Sequence, residues 1–178
     1  MRIRSAHLGD AQALHRIYQA SPDYFRMLGT DIPTISEVET ELGLALMDAS
    51  RHVELIEHHD RAAGVLDWKV AYPDSADVTV NLLLLRPDER SAGLGSRVMW
   101  DLESRLPSET RRLMASVLGE NPAAARFWER LGYEFAVDAR PIMTWYAKPL
   151  HAVRQPETNL ISLGLSVPAL PQGTHKPV

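Results

Sequence analysis

The sequence predicts a mixed α/β (α+β) domain whose sheet is mostly antiparallel. Its 178 residues suit one core of ordinary size, and 45% hydrophobic with 24% charged residues is typical of a globular chain. Short turns join the second, third and fourth predicted strands, as in antiparallel neighbours, whereas a helix-length segment joins the fourth and fifth strands and makes that pair parallel. We expect this domain to span residues 1–149 and to be followed by a proline-rich C-terminal extension over residues 150–178.

The chain begins with a predicted strand and a predicted helix. Residues 2–6 alternate in polarity, as in a half-buried strand. Leu14, Ile17 and Tyr18 recur at the spacing of an inward helix face. Residues 21–29 then place several aromatic and apolar side chains between a proline and a glycine, which predicts a short segment against the core.

A second predicted helix leads into a hairpin. Ser36 and Glu39 have the spacing of a capping box, which indicates a helix start. Residues 51–57 and 64–70 predict two antiparallel strands, joined by a polar turn at residues 58–61. This turn contains two His and an Asp, but adjacent side chains at a strand end point to opposite faces, so we expect no metal site.

Residues 78–106 predict a strand, a glycine loop and a helix. The strand is almost continuously apolar up to Pro87, as in a central strand covered on both faces. Gly93 and Gly95 precede the helix, whose first N–H groups have no internal partner and lie at the positive end of its dipole. With Arg90 at its entrance, the loop predicts an anion site.

Two nucleotide-binding motifs do not fit this loop. The dinucleotide fingerprint requires a third glycine at the position of Val98, and the P-loop requires a Gly-Lys-Ser/Thr sequence that is absent. A glycine pair at such a junction can also serve only to turn the chain.

The remaining elements follow in regular order. Residues 112–118 predict the fifth strand. Asn121 can cap a helix that begins at Pro122 and ends at Gly132. Two closing strands are predicted within residues 133–147.

Two motifs stand out in this half of the chain. Residues 90–95 read R-S-A-G-L-G, and residues 121–133 read N-P-A-A-A-R-F-W-E-R-L-G-Y. They resemble the R/Q-x-x-G-x-G/A and N-x-x-A-x-x-F-Y-x-x-x-G-F motifs of the GNAT superfamily of acetyl-CoA-dependent N-acetyltransferases. The close resemblance covers residues 78–148. The N-terminal half resembles the family only in the order of its predicted strands and helices.

The resemblance implies a GNAT-like fold in which the fourth and fifth strands splay apart and pantetheine lies between them. Residues 1–149 would form the N-acetyltransferase domain, with acetyl-CoA as co-substrate and direct transfer of the acetyl group to a primary amine. The implied cofactor-binding residues are Leu83, Leu84, Leu85, Arg90, Ser91, Ala92, Gly93, Leu94, Gly95, Ser96, Asn121, Ala124, Phe127 and Trp128.

One residue departs from the family pattern. The family's usual acid is the Tyr of its F-Y pair, where this chain has Trp128, and an indole N–H is no useful acid. Tyr24 or Tyr146 could supply a phenol instead. Asp67 and Asp77 are candidate bases, although a water chain to bulk solvent could also remove the amine proton.

Composition limits the partners. The formal net charge of -4 gives no general attraction to nucleic acid or to an anionic membrane. We therefore expect a small-molecule amine, weakly favoured as cationic, rather than a protein as acceptor, and a homodimer contact through the C-terminal extension stays open. A non-catalytic acyl-CoA-binding sensor is the alternative function.

The expected location is the cytoplasm. The chain contains no Cys, which fits a reducing compartment and excludes disulfides and an acyl-cysteine intermediate. No apolar run approaches about 20 residues, and the N-terminus carries no apolar signal-peptide region, so we expect no membrane span.

Overall fold

The computed structural model describes residues 1–140 and 143–149. The predicted C-terminal extension, residues 150–178, lies outside the described residues. The strands are β1 Arg2–Ser5, β2 Arg51–His58, β3 Arg61–Val70, β4 Asp77–Leu85, β5 Arg112–Leu118, β6 Glu134–Arg140 and β7 Met143–Pro149. The helices are α1 Ala11–Gln19, α2 Pro22–Leu28, α3 Ile35–Met47, α4 Leu94–Arg105 and α5 Pro122–Arg130.

The strands form one sheet in the order β1-β2-β3-β4-β5-β7-β6. Neighbouring strands are antiparallel except β4 and β5, which are joined through α4 and run parallel. The predicted mixed α/β fold, with a mostly antiparallel sheet and one parallel pair, is confirmed.

The parallel pair opens part of the way along its length. β4 and β5 pair from Asp77 opposite Arg112 to Val80 opposite Ala115, and in the described residues no β4–β5 pair follows. Residues 81–85 of β4 remain paired with β3 on their other side. A gap therefore lies in the middle of the sheet, and along it β4 has no strand partner. The Asn81 carbonyl accepts a bond from Ser116 Oγ at 3.2 Å, and the Leu85 carbonyl accepts one from Arg90 Nε at 2.9 Å.

Apolar side chains cover the sheet on both faces. On one face, Val98 and Met99 of α4 pack in a core that includes Leu66 of β3. On the other face, Leu14 of α1 and Leu42 of α3 pack in a second core. The almost continuous apolar run of β4 serves both cores, because its side chains alternate between the two faces.

Helix ends follow local capping chemistry. The predicted Ser36–Glu39 capping box is wrong, because α3 begins earlier. Thr34 is its N-cap, the Glu37 N–H donates to Thr34 Oγ1 at 3.3 Å, and the Thr34 N–H donates to Glu37 Oε2 at 2.7 Å. The predicted Asn121 cap of α5 is confirmed, since its Oδ1 accepts a bond from the Ala124 N–H at 3.0 Å.

The described part of the chain contains neither a helix that could cross a membrane nor a cluster that could hold a metal ion. No helix in residues 1–140 and 143–149 has the length and apolar character needed to cross a membrane. In the same residues, no cluster of three or more His, Asp or Glu side chains could hold a metal ion.

Candidate functional site

Two neighbouring cavities border helix α2. The first, which we name the glycine-loop cleft, has a volume of about 650 Å³ and lies between α2, the end of β4, the loop before α4, and α5. The second, which we name the helix cavity, has a volume of about 310 Å³ and is lined by α1, α2 and α3 and by β2, β3 and β4. The two cavities offer room for two different ligands side by side.

The glycine-loop cleft brings together most of the predicted cofactor residues. All of them line it except Ala92 and Leu94. Leu94 is buried in the core beneath α4, and Ala92 is exposed beside the cleft. Residues that are far apart in sequence, on β4, in the loop and on α5, therefore face one space.

The loop has the backbone geometry of an anion site. Ser91 and Gly93 have positive φ values of 65° and 77°, which turn the chain so that α4 begins at Leu94. No side chain caps this helix start, and the first main-chain bond into it is from Arg97 N–H to the Gly93 carbonyl. The preceding N–H groups of the first turn therefore stay available for an anionic ligand.

Gly95 allows α5 to approach the loop closely. A Cβ atom at this position would lie 3.1 Å from Cε2 of the Phe127 ring. The absence of a side chain at Gly95 thus keeps the Phe127 ring against the floor of the glycine-loop cleft.

Arg90 connects the loop to α2. Its Nε donates to the Leu85 carbonyl at 2.9 Å, its Nη1 to Asp23 Oδ2 at 2.7 Å, and its Nη2 to Ser21 Oγ at 3.2 Å. The hydrogen bond from Arg90 lowers the pKa of Asp23 below the usual aspartate value. The predicted cation at the loop entrance is thus present, and it is paired with a carboxylate that also lines the glycine-loop cleft.

Trp128 forms an apolar wall rather than a proton donor. Its side chain is 4% exposed and packs against the rings of Phe127 and Tyr133, with centroids 4.9 and 5.0 Å away. Tyr146, one of the two phenols predicted as a substitute acid, is buried in the core and lines neither cavity.

The polar floor of the helix cavity is a connected cluster. Arg51 of β2 donates from Nη2 to Asp67 Oδ2 at 2.6 Å and from Nε to both carboxylate oxygens, at 3.2 and 3.1 Å. Asn81 of β4 donates from Nδ2 to Asp67 Oδ1 at 3.0 Å. The hydrogen bond to Asp67 raises the pKa of Arg51. Both oxygens of the predicted base Asp67 are therefore already used to hold its neighbours.

A β-bulge positions this cluster. In the pairing of β3 with β4, Asp67 lies opposite Leu82 and Trp68 opposite Val80, so Asn81 is an additional residue in β4. Asn81 and Leu82 consequently both line the helix cavity, although strict alternation would send them to opposite faces.

The three predicted catalytic residues lie in different places. Tyr24 lines both cavities, and Asp67 lines the helix cavity. Asp77 lines neither cavity and forms an ion pair with Arg112. It lies at the start of β4, four residues before Asn81, which corresponds to about 13 Å along a strand.

Arg51 and Tyr18 also line the helix cavity, and sequence reasoning did not single them out as site residues. Glu41 lines it too; from sequence, its acidic helix side is interpreted as a solvated face, with attraction of a cationic acceptor as the alternative. A signal existed for Arg51, because alternation places it on the same strand face as Val53, which is buried. An arginine on an inward strand face requires a buried partner, and Asp67 on the neighbouring strand has the opposite charge.

Comparison with known proteins agrees with this geometry. The family model of GNAT acetyltransferases matches residues 14–133. An acetyltransferase from Thermus thermophilus is 34% identical, with a TM-score of 0.81 over 83% of this chain and 96% of that chain. No curated protein sequence matches the chain.

More distant structures share the fold. The Salmonella typhimurium acetyltransferase that modifies the N-terminal serine of ribosomal protein L7/L12 is 16% identical, with a TM-score of 0.72 over 83% of this chain and 93% of that chain. The PaiA N-acetyltransferase from Thermoplasma acidophilum, solved in complex with coenzyme A, is 12% identical, with a TM-score of 0.67 over 83% of this chain and 98% of that chain. The family-model match and the 34% identical structure show that the chain belongs to the GNAT family of acetyltransferases and is an acyltransferase enzyme.

Proposed function

We propose that this enzyme transfers an acetyl group from acetyl-CoA directly to the primary amine of a small cationic molecule. The main support for this proposal is that the glycine-loop cleft and the helix cavity meet at Tyr24, beside the open gap between β4 and β5. One cavity has the anion-binding loop that a cofactor with a pyrophosphate needs, and the other has room for an amine.

The gap in the sheet suits the pantetheine arm. Residues 81–85 of β4 have β3 on one side, and on the other side no described strand pairs with them. Pantetheine amides can bond to the backbone groups of this edge that Ser116 and Arg90 leave free, as an added strand does. The diphosphate then reaches the N–H groups of the loop, with Arg90 beside it.

The reaction needs few side chains. A neutral amine in the helix cavity attacks the thioester carbonyl, and a main-chain N–H on the free edge of β4 stabilises the oxyanion. Because Arg51 and Asn81 already bond to both oxygens of Asp67, this carboxylate positions its neighbours, and water takes the proton from the amine.

The charge of the helix cavity favours a cationic acceptor. Asp67 is paired with Arg51, which leaves Glu37 and Glu41 of α3 as further carboxylates in the lining. Glu37 is engaged by the Thr34 cap. In the described part of the chain, the exposed Glu41 carboxylate has no hydrogen-bond or ion-pair partner. It contributes to the raised pKa of Arg51 across the cavity, and as an exposed group it can also attract a second positive charge.

The test is free-thiol release from acetyl-CoA with four acceptor types: an aliphatic diamine, an aromatic monoamine, free amino acids and a peptide with a free N-terminus. We expect the diamine to be the best acceptor. Glu41→Gln should raise the KM for the diamine about two- to fivefold, the range of one exposed charge pair, without changing the KM for acetyl-CoA.

Glu39→Gln is the matched control, because Glu39 is exposed on the same helix and lies outside the lining of the helix cavity. Equal effects of the two substitutions, or a peptide as the best acceptor, would contradict the small cationic acceptor. Tight CoA binding with no amine-dependent thiol release would instead favour a non-catalytic acyl-CoA sensor.

A further inference from the structure

Trp128 stands where the family usually has a tyrosine acid, so another residue would have to protonate the sulfur that leaves. When the C–S bond of the thioester breaks, the sulfur acquires negative charge, and a nearby donor can neutralise it. Trp128 is packed between two aromatic rings and offers no acidic proton. A residue that donates this proton therefore has to lie on another wall of the glycine-loop cleft.

Tyr24 has the required position. Among the described residues, it is the one side chain shared by the linings of the glycine-loop cleft and the helix cavity. Its ring packs edge-on against Phe25 at 5.3 Å. In the described part of the chain its hydroxyl has no hydrogen-bond partner. A phenol with an unused O–H therefore borders the space where thioester and amine must meet.

The preceding residues hold this phenol beside the loop. Asp23 and Ser21 both accept hydrogen bonds from Arg90, whose Nε is fixed on the Leu85 carbonyl. These bonds connect the start of α2 to the end of β4 and to the loop. Tyr24 follows directly, so its backbone is fixed relative to both walls of the glycine-loop cleft.

We infer that the Tyr24 hydroxyl is the proton donor to the CoA sulfur, a role that rests on the proposed acetyl transfer. The amine nitrogen forms a bond to the acetyl carbon and loses one proton to water. The C–S bond breaks, and the sulfur takes the proton of the phenol to give free CoA thiol. Water then returns a proton to the phenolate, so the net reaction is amine plus acetyl-CoA to acetamide plus CoA.

The protonation state of Tyr24 suits a donor. Burial raises the pKa of Tyr24 above the ordinary tyrosine value, so the side chain carries its proton throughout the neutral range. A thiol has an ordinary pKa near 8.5, below that of a phenol, so a CoA thiolate is already a moderate leaving group. The contribution of Tyr24 therefore lies at or below the low end of general acid–base catalysis, which is typically about 100- to 10,000-fold; we expect about 10- to 100-fold in kcat.

The experiment compares Tyr24→Phe with Tyr146→Phe, each of which removes one buried or half-buried phenol oxygen. Tyr146 lies in the core and lines neither cavity, which makes it the matched control. Rates of thiol release with the best amine of the panel give kcat and both KM values, and calorimetry gives the Kd for CoA. Thermal melting establishes that each variant is folded.

We expect Tyr24→Phe to lower kcat about 10- to 100-fold while the Kd for CoA stays within about twofold of wild type. Tyr146→Phe should retain the wild-type kcat. A Tyr24→Phe enzyme within threefold of the wild-type kcat, or an equal loss in both variants, would overturn the assignment and leave acetyl transfer intact. Wild-type protein that binds CoA but releases no thiol with any amine would instead overturn the proposed function.

Discussion

Arg90 shows how one residue of the loop serves both the fold and the ligand. Its Nε donates a hydrogen bond to the Leu85 carbonyl, and its Nη1 and Nη2 donate to Asp23 and Ser21. The Arg90–Asp23 pair is partly exposed, with 34% and 57% of the two side chains accessible. An anionic cofactor in the glycine-loop cleft can therefore share this guanidinium with Asp23 at modest cost.

We predict that Arg90→Gln weakens CoA binding about fivefold, measured as the calorimetric Kd, because a charge-assisted contact to a phosphate is lost. Arg86→Gln removes the same charge four residues earlier, at a side chain outside the lining of the glycine-loop cleft. It should leave the Kd unchanged. Similar losses in the two variants would mean that general electrostatic attraction, rather than a contact of Arg90, determines affinity.

Site residues differed in how far their roles could be predicted from sequence. The glycine loop and the Asn121 cap depend on neighbours within a few positions, so local spacing was sufficient. Asp67 was selected as a carboxylate on a strand, but its pairing with Arg51 depends on the register of two strands. Asp77 shows the same limit, because strand alternation gives the face of a residue and not its position along the strand.

At the scale of elements, an ion cluster holds β1 against the start of α1. The Asp10 carboxylate is 6% exposed and accepts bonds from Arg4 Nη1 at 2.8 Å, Arg4 Nη2 at 2.7 Å and the His7 N–H at 2.9 Å. Arg4 also donates to Glu57 of β2 at 2.8 Å. The bonds from Arg4, followed by that from His7, lower the pKa of Asp10.

This cluster predicts a pH dependence of stability. An aspartate whose pKa is lower in the folded state stabilises the fold above its unfolded pKa of about 3.9, and this contribution disappears as the pH falls through the folded value. Asp10→Asn should reduce the free energy of unfolding by about 1–3 kcal/mol at pH 7. The difference from wild type should narrow below about pH 4.

Urea unfolding at pH 7 and pH 3.5 measures this effect, with Asp31→Asn as the control because Asp31 is exposed before α3. A difference between Asp10→Asn and wild type that is the same at both pH values would show that packing, rather than charge, explains the loss.

The β4 strand shows which features of a strand could be predicted from sequence and which could not. Its apolar run correctly indicated a central strand covered on both faces. Its bulge at Asn81 was not predictable, because it arises from the pairing of β4 with β3 and interrupts the two-residue period. The bulge places Asn81 and Leu82 together along the helix cavity, so the part of β4 nearest to the proposed chemistry is the part least visible in sequence.

For the whole molecule, CoA should act as a stabilising ligand. The glycine-loop cleft is built from α2, β4, the loop and α5, so a ligand there bridges elements from both halves of the chain. At 100 times its Kd, CoA should add about 2.7 kcal/mol, which raises the Tm of a domain of this size by about 5–10 °C. NAD⁺ at the same concentration should have no such effect, because Val98 replaces the third glycine of the dinucleotide fingerprint. Equal shifts with both compounds would contradict a cleft selective for CoA.

The fold class and the geometry of the glycine loop could be predicted from sequence because they follow from strand lengths, turn residues and one local motif. The helix cavity could not, since its lining comes from three helices and three strands whose packing no local pattern specifies. The proposed acceptor chemistry therefore depends on where Arg51 and Glu41 lie in this cavity, which is seen only in the assembled molecule.

Acetyl transfer between the two cavities is tested most directly by measuring both products of one reaction. Wild-type protein is mixed with acetyl-CoA and each amine of the panel, and free thiol and N-acetylated amine are quantified together. We predict equal molar amounts of the two products, formed only when protein and amine are both present. Thiol release without acetylated amine, or no release above background from protein that binds CoA, would contradict acetyl transfer as the function of this site.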